Sequence, residues 1–429
     1  MNARQFSVRA AVIISALAWT AAGWASAQDA KGGLVEPPAG KSGSGNWCEW
    51  LETNPGTLYK GGNNDWLQEL RFFGLLHVNY AWVNGKSANR SFSYDNDGEI
   101  RRLWAGLEAK MFGNALTLHE EIRLADDKTP SGGQRRIDYI DTWASWAEWE
   151  VSRTFPVLDG CGSWTIGYGK NVVPLAEEVV NSSKFLSVPE RSAISNRLYL
   201  LSDAVTPTGA WLRWKNGLWT ATVGVYSTDT APEMGNWSDG TDYVVEVERD
   251  SKDWFRTDAA TLAMAFYYDD TVRGDDRLTG AMNWVASAWM IVKEGPWTFR
   301  ANAIYGEADD RNPLRDGPFW GLVLTPSYMI VPDKLEAVLR YQYQGSENPQ
   351  GVFLYSRYAK TAGLPANENI PLLASGRGDE HHSVYAGLNW LICKQNLKLM
   401  AGVEWESLQS KSKDVYQGFT FWTGLRTYF

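Results

Sequence analysis

From residue 68 to the last residue the chain repeats one pattern. Runs of about ten residues alternate apolar and polar side chains, separated by tight turns or longer polar stretches. In the first run Phe72, Gly74, Leu76, Val78, Tyr80 and Trp82 share one face, and Arg71, His77 and Asn79 take the other. Over 99–112, Leu103, Ala105, Leu107, Ala109 and Met111 oppose Arg102, Glu108 and Lys110. The turn Gly113-Asn114 leads into 116–124, whose second face carries Thr117, His119, Glu121 and Arg123. Later runs are cleaner still: Leu397, Leu399, Ala401, Val403 and Trp405 oppose Lys398, Glu404 and Glu406. A period of two places alternate residues on opposite faces of a strand, so the fold class is all-β. A soluble sandwich also alternates. Long strands with aromatics at the ends of the apolar face point instead to a transmembrane antiparallel barrel.

Composition agrees where it bears on that choice. Trp 23, Tyr 19, Phe 15 and Gly 40 suit strands, interfacial belts and tight turns. A mean hydropathy of −0.34 fits a barrel with a polar lumen. The first residues read as an export signal: Arg4 and Arg9, an apolar run over 10–23, and Ala25-Ser26-Ala27 as the cleavage site. The division is therefore 1–27 signal peptide, 28–66 flexible periplasmic segment rich in Gly, Pro and Ser, and 67–429 barrel. No later stretch holds the roughly 18 uninterrupted apolar residues of a spanning helix.

Loop lengths set the strand count. Bacterial barrels join strands by short periplasmic turns and long outer loops. Short connections fall at 113–114, 215–217, 293–296, 332–334 and 393–395, and long ones at 84–98, 126–136, 170–206, 228–241, 307–318, 346–379 and 408–417. Strict alternation needs one further pair of strands, 242–247 and 257–268, with a turn inside 250–254. The total is then sixteen, with fourteen and eighteen as the neighbouring even counts. The final run, Phe421, Thr423, Leu425, Thr427 and Phe429, ends on a terminal aromatic, as outer-membrane barrels do. Cys48, Cys161 and Cys393 all fall on the periplasmic, oxidising side. A disulfide is expected between Cys48 and one of the others; three free thiols is the alternative.

One stretch refuses to alternate. Residues 170–198 carry two prolines, adjacent acids and the cations Lys170, Lys184, Arg191 and Arg197, directly after a clean strand. As the third long connection, it is expected to fold into the lumen as a constriction. The lumen face of the strands supplies Arg102, Lys110, Arg123, Arg213, Arg300, Arg340, Lys398 and Arg426, with Glu108, Glu121, Glu336, Glu404 and Glu406 among them. Such charges either select anions or pair with one another as solubilising residues. No G-x-S-x-G, H-E-x-x-H or C-x-x-C is present, so no enzyme, cofactor or metal is expected. His381-His382 is expected to face solvent rather than hold metal, because adjacent strand residues point to opposite faces.

Three stretches together resemble the phosphate-selective porin O and P family. They are Glu99-Ile100-Arg101-Arg102-Leu103-Trp104-Ala105-Gly106-Leu107, then Ile166-Gly167-Tyr168-Gly169-Lys170 followed by Ser182-Ser183-Lys184-Phe185-Leu186 and Pro189-Glu190-Arg191-Ser192, and the barrel's ending. Trp104 stands where that family's pattern has Arg. The resemblance implies a sixteen-stranded outer-membrane porin, a homotrimer in outer-membrane lipid, passing small hydrophilic or anionic solutes, phosphate among them, and no nucleic acid. It makes Lys170, Lys184 and Arg191 candidate constriction residues, with Arg102 on the wall. Arg197 in the loop and Arg123 and Arg340 on the wall complete the expected solute pathway. Glu190 and Arg191 are alternatively expected to form an ion pair that pins the loop.

Overall fold

The computed structural model of the chain describes residues 33–34, 47–53, 56–62, 66–87, 90–95, 98–126, 141–199, 206–228, 237, 240–270, 282–310, 312–354 and 376–429. The expected leader, 1–27, lies outside them. Sixteen long strands form the wall. They are β1 Leu67–Ser87, β2 Glu99–Met111, β3 Leu116–Asp126, β4 Asp141–Glu150, β5 Ser163–Lys170 and β6 Thr208–Asn216. Next come β7 Trp219–Ser227, β8 Thr241–Asp250, β9 Ala259–Asp269, β10 Met282–Glu294 and β11 Trp297–Ala308. The last five are β12 Gly317–Val331, β13 Leu335–Ser346, β14 Glu380–Gln395, β15 Leu397–Ser410 and β16 Lys413–Tyr428. Each pairs antiparallel with the next, and β16 returns to β1, from Tyr416↔Ser87 to Tyr428↔Leu75. The result is a closed antiparallel barrel of sixteen strands. Closure is what lets strands cross lipid, since every wall N–H and C=O then finds a partner.

The outer wall is apolar. Val223, Val245, Met264, Leu339 and Leu388 are exposed along it. Aromatic residues band both ends. Trp297 meets Tyr328 at 4.7 Å near the short turns, and Trp82 meets Phe421 at 5.4 Å near the long loops. An apolar band between aromatic belts is the exterior of an outer-membrane barrel.

Several local features depart from the pattern read off the sequence. The expected long loop at 408–417 is a two-residue turn, Lys411-Ser412, with φ of 50° and 60°. Both strands simply extend to it, which polar residues at a barrel rim allow. The turn expected inside 250–254 is present, as a helical turn Lys252–Phe255. Part of the segment expected to be flexible is ordered: the helix Trp47–Glu52 and the strand Thr57–Lys60, which pairs with β1. Cys48 and Cys393 form a disulfide and Cys161 is free and exposed. Lys394 adds an ion pair to Glu52 at 2.8 Å. This staple joins the entry of β1 to the turn between β14 and β15, across the seam where the barrel closes. Cys48→Ser is expected to cost about 2–4 kcal/mol by freeing a very long chain loop. Urea unfolding followed by gel mobility of the folded band should show it, with Cys161→Ser unchanged.

Bulges re-aim side chains on the outer half of β2 to β4. Arg102 pairs with His77 but Ile100 pairs with Val78, so Arg101 is an extra residue. Leu124 on β3 and Trp143 on β4 are skipped in the same way. A bulge lets two consecutive side chains face one side. Arg101 and Arg102 are accordingly both buried in the lumen.

Candidate functional site

Of the connection between β5 and β6, residues 171–199 lie inside the barrel. The departure point is Gly169, at φ +134°, where a Cβ would stand 2.1 Å from the Ser145 carbonyl oxygen. No other residue type permits that approach. The chain then makes two helical turns, Glu177–Val180 and Ala193–Tyr199. These explain the lost alternation. Their apolar side packs on one arc of the wall: Leu175, Ala176, Val179, Ile194 and Leu198 join Trp211, Tyr226, Tyr267, Val285 and Phe319 in a single buried cluster.

Polar groups of the wall, most of them on the opposite arc, hold the loop. Lys398 donates to the Leu186 carbonyl at 2.9 Å, Asn389 to that of Ser187 at 2.8 Å and Arg426 to that of Ser183 at 2.6 Å. Arg426 also reaches the Pro189 carbonyl. Gln342 accepts from the Ala193 N–H at 2.7 Å, and Asn302 from that of Glu177 at 3.1 Å. Three ion pairs complete the seat: Arg300–Glu177 at 3.2 Å, Arg340–Glu178 at 3.3 Å and Arg101–Glu190 at 2.7 Å. Backbone carbonyls of an irregular segment need donors once water is displaced, and the wall cations supply them.

The seven expected pathway cations therefore divide. Arg340 is buried between Glu178, Glu404 and the Glu190 carbonyl. Arg191 donates to the Glu178 carbonyl at 2.6 Å and to that of Asn181, so it ties the loop to itself. It does not pair with Glu190, whose carboxylate is taken by Arg101 from the bulge. Arg197 donates to the Gly351 carbonyl at 2.9 Å and lies 3.6 Å over the Phe319 ring. Arg102 lies 3.5 Å from His77 and Arg123 stacks 5.3 Å from Trp143. Lys170 is buried at the end of β5. Lys184 alone of the seven is half-exposed. It rests over the rings of Phe73 and Tyr428, at 5.1 and 5.4 Å, and is drawn electrostatically to Glu121. Beside it Phe185, edge-on to Tyr428, is also exposed.

Glu190 shows how the seat is held electrostatically. Burial opposes its charge, but Arg101 and Arg102 outweigh that opposition and hold its carboxyl well below the usual carboxylate range. Toward the short-turn end the lumen is lined by paired charges: Arg71–Glu108 at 3.3 Å, Lys110–Glu69 at 3.2 Å and Arg213–Glu148 at 3.0 Å. This is the pairing alternative foreseen for the lumen face. The two histidines do point to opposite sides, yet His381 is buried against Gln344 and Glu406 rather than facing solvent. Among the described residues no three His, Cys, Asp or Glu side chains are placed to hold a metal ion.

Sequence reasoning missed Arg101, because strict alternation sends it outward, and Glu178, whose ionic partner Arg340 lies far along the chain. It also missed the donor Asn389 and the acceptors Asn302 and Gln342, which look like any polar lumen residue.

Solved structures share the fold. The anion-selective porin from Comamonas acidovorans is 13% identical, covers 84% of this chain and 99% of its own, and has a TM-score of 0.53. OmpF of Salmonella typhi, in complex with daunomycin, is 12% identical over 84% of this chain and 98% of that one, with a TM-score of 0.52. OprB of Pseudomonas putida is 10% identical over 83% and 94%, also with a TM-score of 0.52. At such identities the likeness is one of fold. The chain matches no family model and no curated protein.

Proposed function

We propose that this chain is a passive diffusion channel of the bacterial outer membrane rather than an enzyme. The observation that carries the reading is a closed barrel whose wall cations hold an inward-folded loop across a polar lumen. Small hydrophilic solutes exchange hydration for brief contacts with charged groups as they pass the loop. Copies of the barrel associate, a homotrimer being the arrangement the motif resemblance implies.

Any anion or phosphate preference falls to Lys184 in this reading, since the other six expected cations are engaged in holding structure. Planar-bilayer recordings in KCl gradients, with and without phosphate, test both levels. Absence of conductance defeats the channel reading. Reversal potentials that favour cations and ignore phosphate defeat the anion-preferring version alone. Lys184→Gln is expected to shift the reversal potential toward cations while leaving heat-modifiable gel mobility unchanged. An unaltered reversal potential would remove Lys184 from the solute path.

A further inference from the structure

Lys184 of the loop and Glu121 of β3 stand outside the ion pairs of the lumen wall. Each acts electrostatically on the other. Yet among the described residues neither side chain forms an ion pair or a hydrogen bond. The wall explains why. Across the sheet Glu121 pairs with Gly106 of β2 and Ala144 of β4, and neither has a side chain that can meet a carboxylate. The Lys184 ammonium is held over the rings of Phe73 and Tyr428, at 5.1 and 5.4 Å. The result is a positive and a negative charge that attract but do not touch.

Aromatic rings frame these two charges. Phe73 lies over Gly106, where a Cβ would stand 2.3 Å from its Cζ. It stacks on His119 at 5.0 Å, and His119 stacks on Trp146 at 4.7 Å. Phe185 follows Lys184 and meets Tyr428 edge-on at 5.7 Å. Phe185 is 47% exposed, whereas Leu186 and Val188 of the same stretch are 6% and 2% exposed. Its place is fixed: its N–H donates to the Ser182 carbonyl at 2.9 Å, and Arg426 holds the Ser183 carbonyl. An apolar ring held in water gains free energy when something apolar covers it. Inside the barrel lipid cannot do so, and a solute in the lumen can.

We propose that this place binds aromatic α-amino acids in transit, with the ring against Phe185 and Tyr428, the carboxylate on Lys184 and the ammonium on Glu121. An amino acid carries its two charges on one carbon, so it bridges the charges that the wall keeps apart, and each contact is a charge-assisted hydrogen bond. A ring bearing only a carboxylate leaves Glu121 facing a like charge, and a ring bearing only an ammonium does the same to Lys184. The proposal rests on the reading of Lys184 as part of the solute path.

The test places the full chain in planar bilayers in KCl at neutral pH and adds phenylalanine, alanine, phenylpropionate and phenethylamine in turn. Phenylalanine has no net charge there, so its binding shows as interruption of the ion current. Its half-blocking concentration should lie about tenfold below that of alanine, which lacks the ring, and below those of the two ring compounds, which each lack one charge. Equal block by phenylalanine and alanine overturns the proposal. Stronger block by phenylpropionate, the mark of a plain anion site, overturns it too. Phe185→Ala should bring phenylalanine toward the alanine level, and Glu121→Gln should bring it toward the phenylpropionate level. A merely structural role for these residues would shift all four solutes together, and that outcome also overturns the proposal. Should the parent protein not conduct, saturation-transfer NMR of the same four solutes on the protein in micelles decides. The expected ranking there would defeat the channel reading and leave this one standing, whereas conduction without the ranking would do the reverse.

Discussion

Replacing residues 177–192 with a short glycine-serine linker raises single-channel conductance severalfold and turns the channel toward anions. The excised segment contains Glu177, Glu178 and Glu190 against Lys184 and Arg191, so its removal takes away one more negative than positive charge. More important is what it leaves behind. Arg101 and Arg300 lose their carboxylate partners. Arg340 keeps Glu404 but loses Glu178, and Lys398 and Arg426 lose the carbonyls they now hold. These side chains become a row of hydrated cations on one arc of an enlarged lumen, the arrangement that selects anions. Conductance and reversal potential in the same bilayer recordings read both effects. An unchanged conductance would place the solute path away from this loop. A larger conductance without an anion shift would mean that wall carboxylates re-pair with the freed cations.

The contrast between wall and loop explains how much of this protein was legible in its sequence. A wall exposed to lipid outside and water inside must alternate, so Leu397 to Trp405 declare their strand and their faces without ambiguity. Short and long connections then gave the count of sixteen and singled out 170–206. Inside the loop the logic fails, because its anchors are carbonyl groups that every residue possesses. The sequence displays Lys398 and Arg426 as lumen cations and says nothing of Leu186 or Ser183 as their acceptors. The bulge at Arg101 is hidden for a related reason: one extra residue inverts parity locally and leaves no mark in composition. The cations expected to line the solute pathway are thus mostly engaged in holding the loop and wall. Only the position of the loop in three dimensions distinguishes Lys184 from the rest.

Glu190→Gln is expected to unseat the loop without disturbing the barrel. Glu190 grips the Arg101 guanidinium through both oxygens at 2.7 and 3.1 Å, while accepting from Asn79 at 3.2 Å. Arg102 and Arg426 act on the same carboxylate. Glutamine keeps the shape but leaves three guanidinium groups facing one another with little water, and breaking such a buried pair costs about 3–5 kcal/mol. That cost falls on the loop, because the wall strands keep all their ladder bonds. The expected readout is strong flicker between conductance levels, with the heat-modifiable mobility of the barrel retained. Adding Arg101→Gln removes one of the facing charges and should recover part of the loss, a coupling of about 1–3 kcal/mol in a double-mutant cycle. Acid offers the same test without mutation. The contribution of a carboxylate with a depressed folded-state pKa is complete above about pH 4.3, the ordinary glutamate value, and fades only as the pH falls below it toward the folded value. The part of the flicker that comes from this pair should therefore appear in the parent channel only below that point, and Glu190→Gln should show no such step there. A parent channel that already flickers near neutrality would mean that another group, not Glu190, holds the seat.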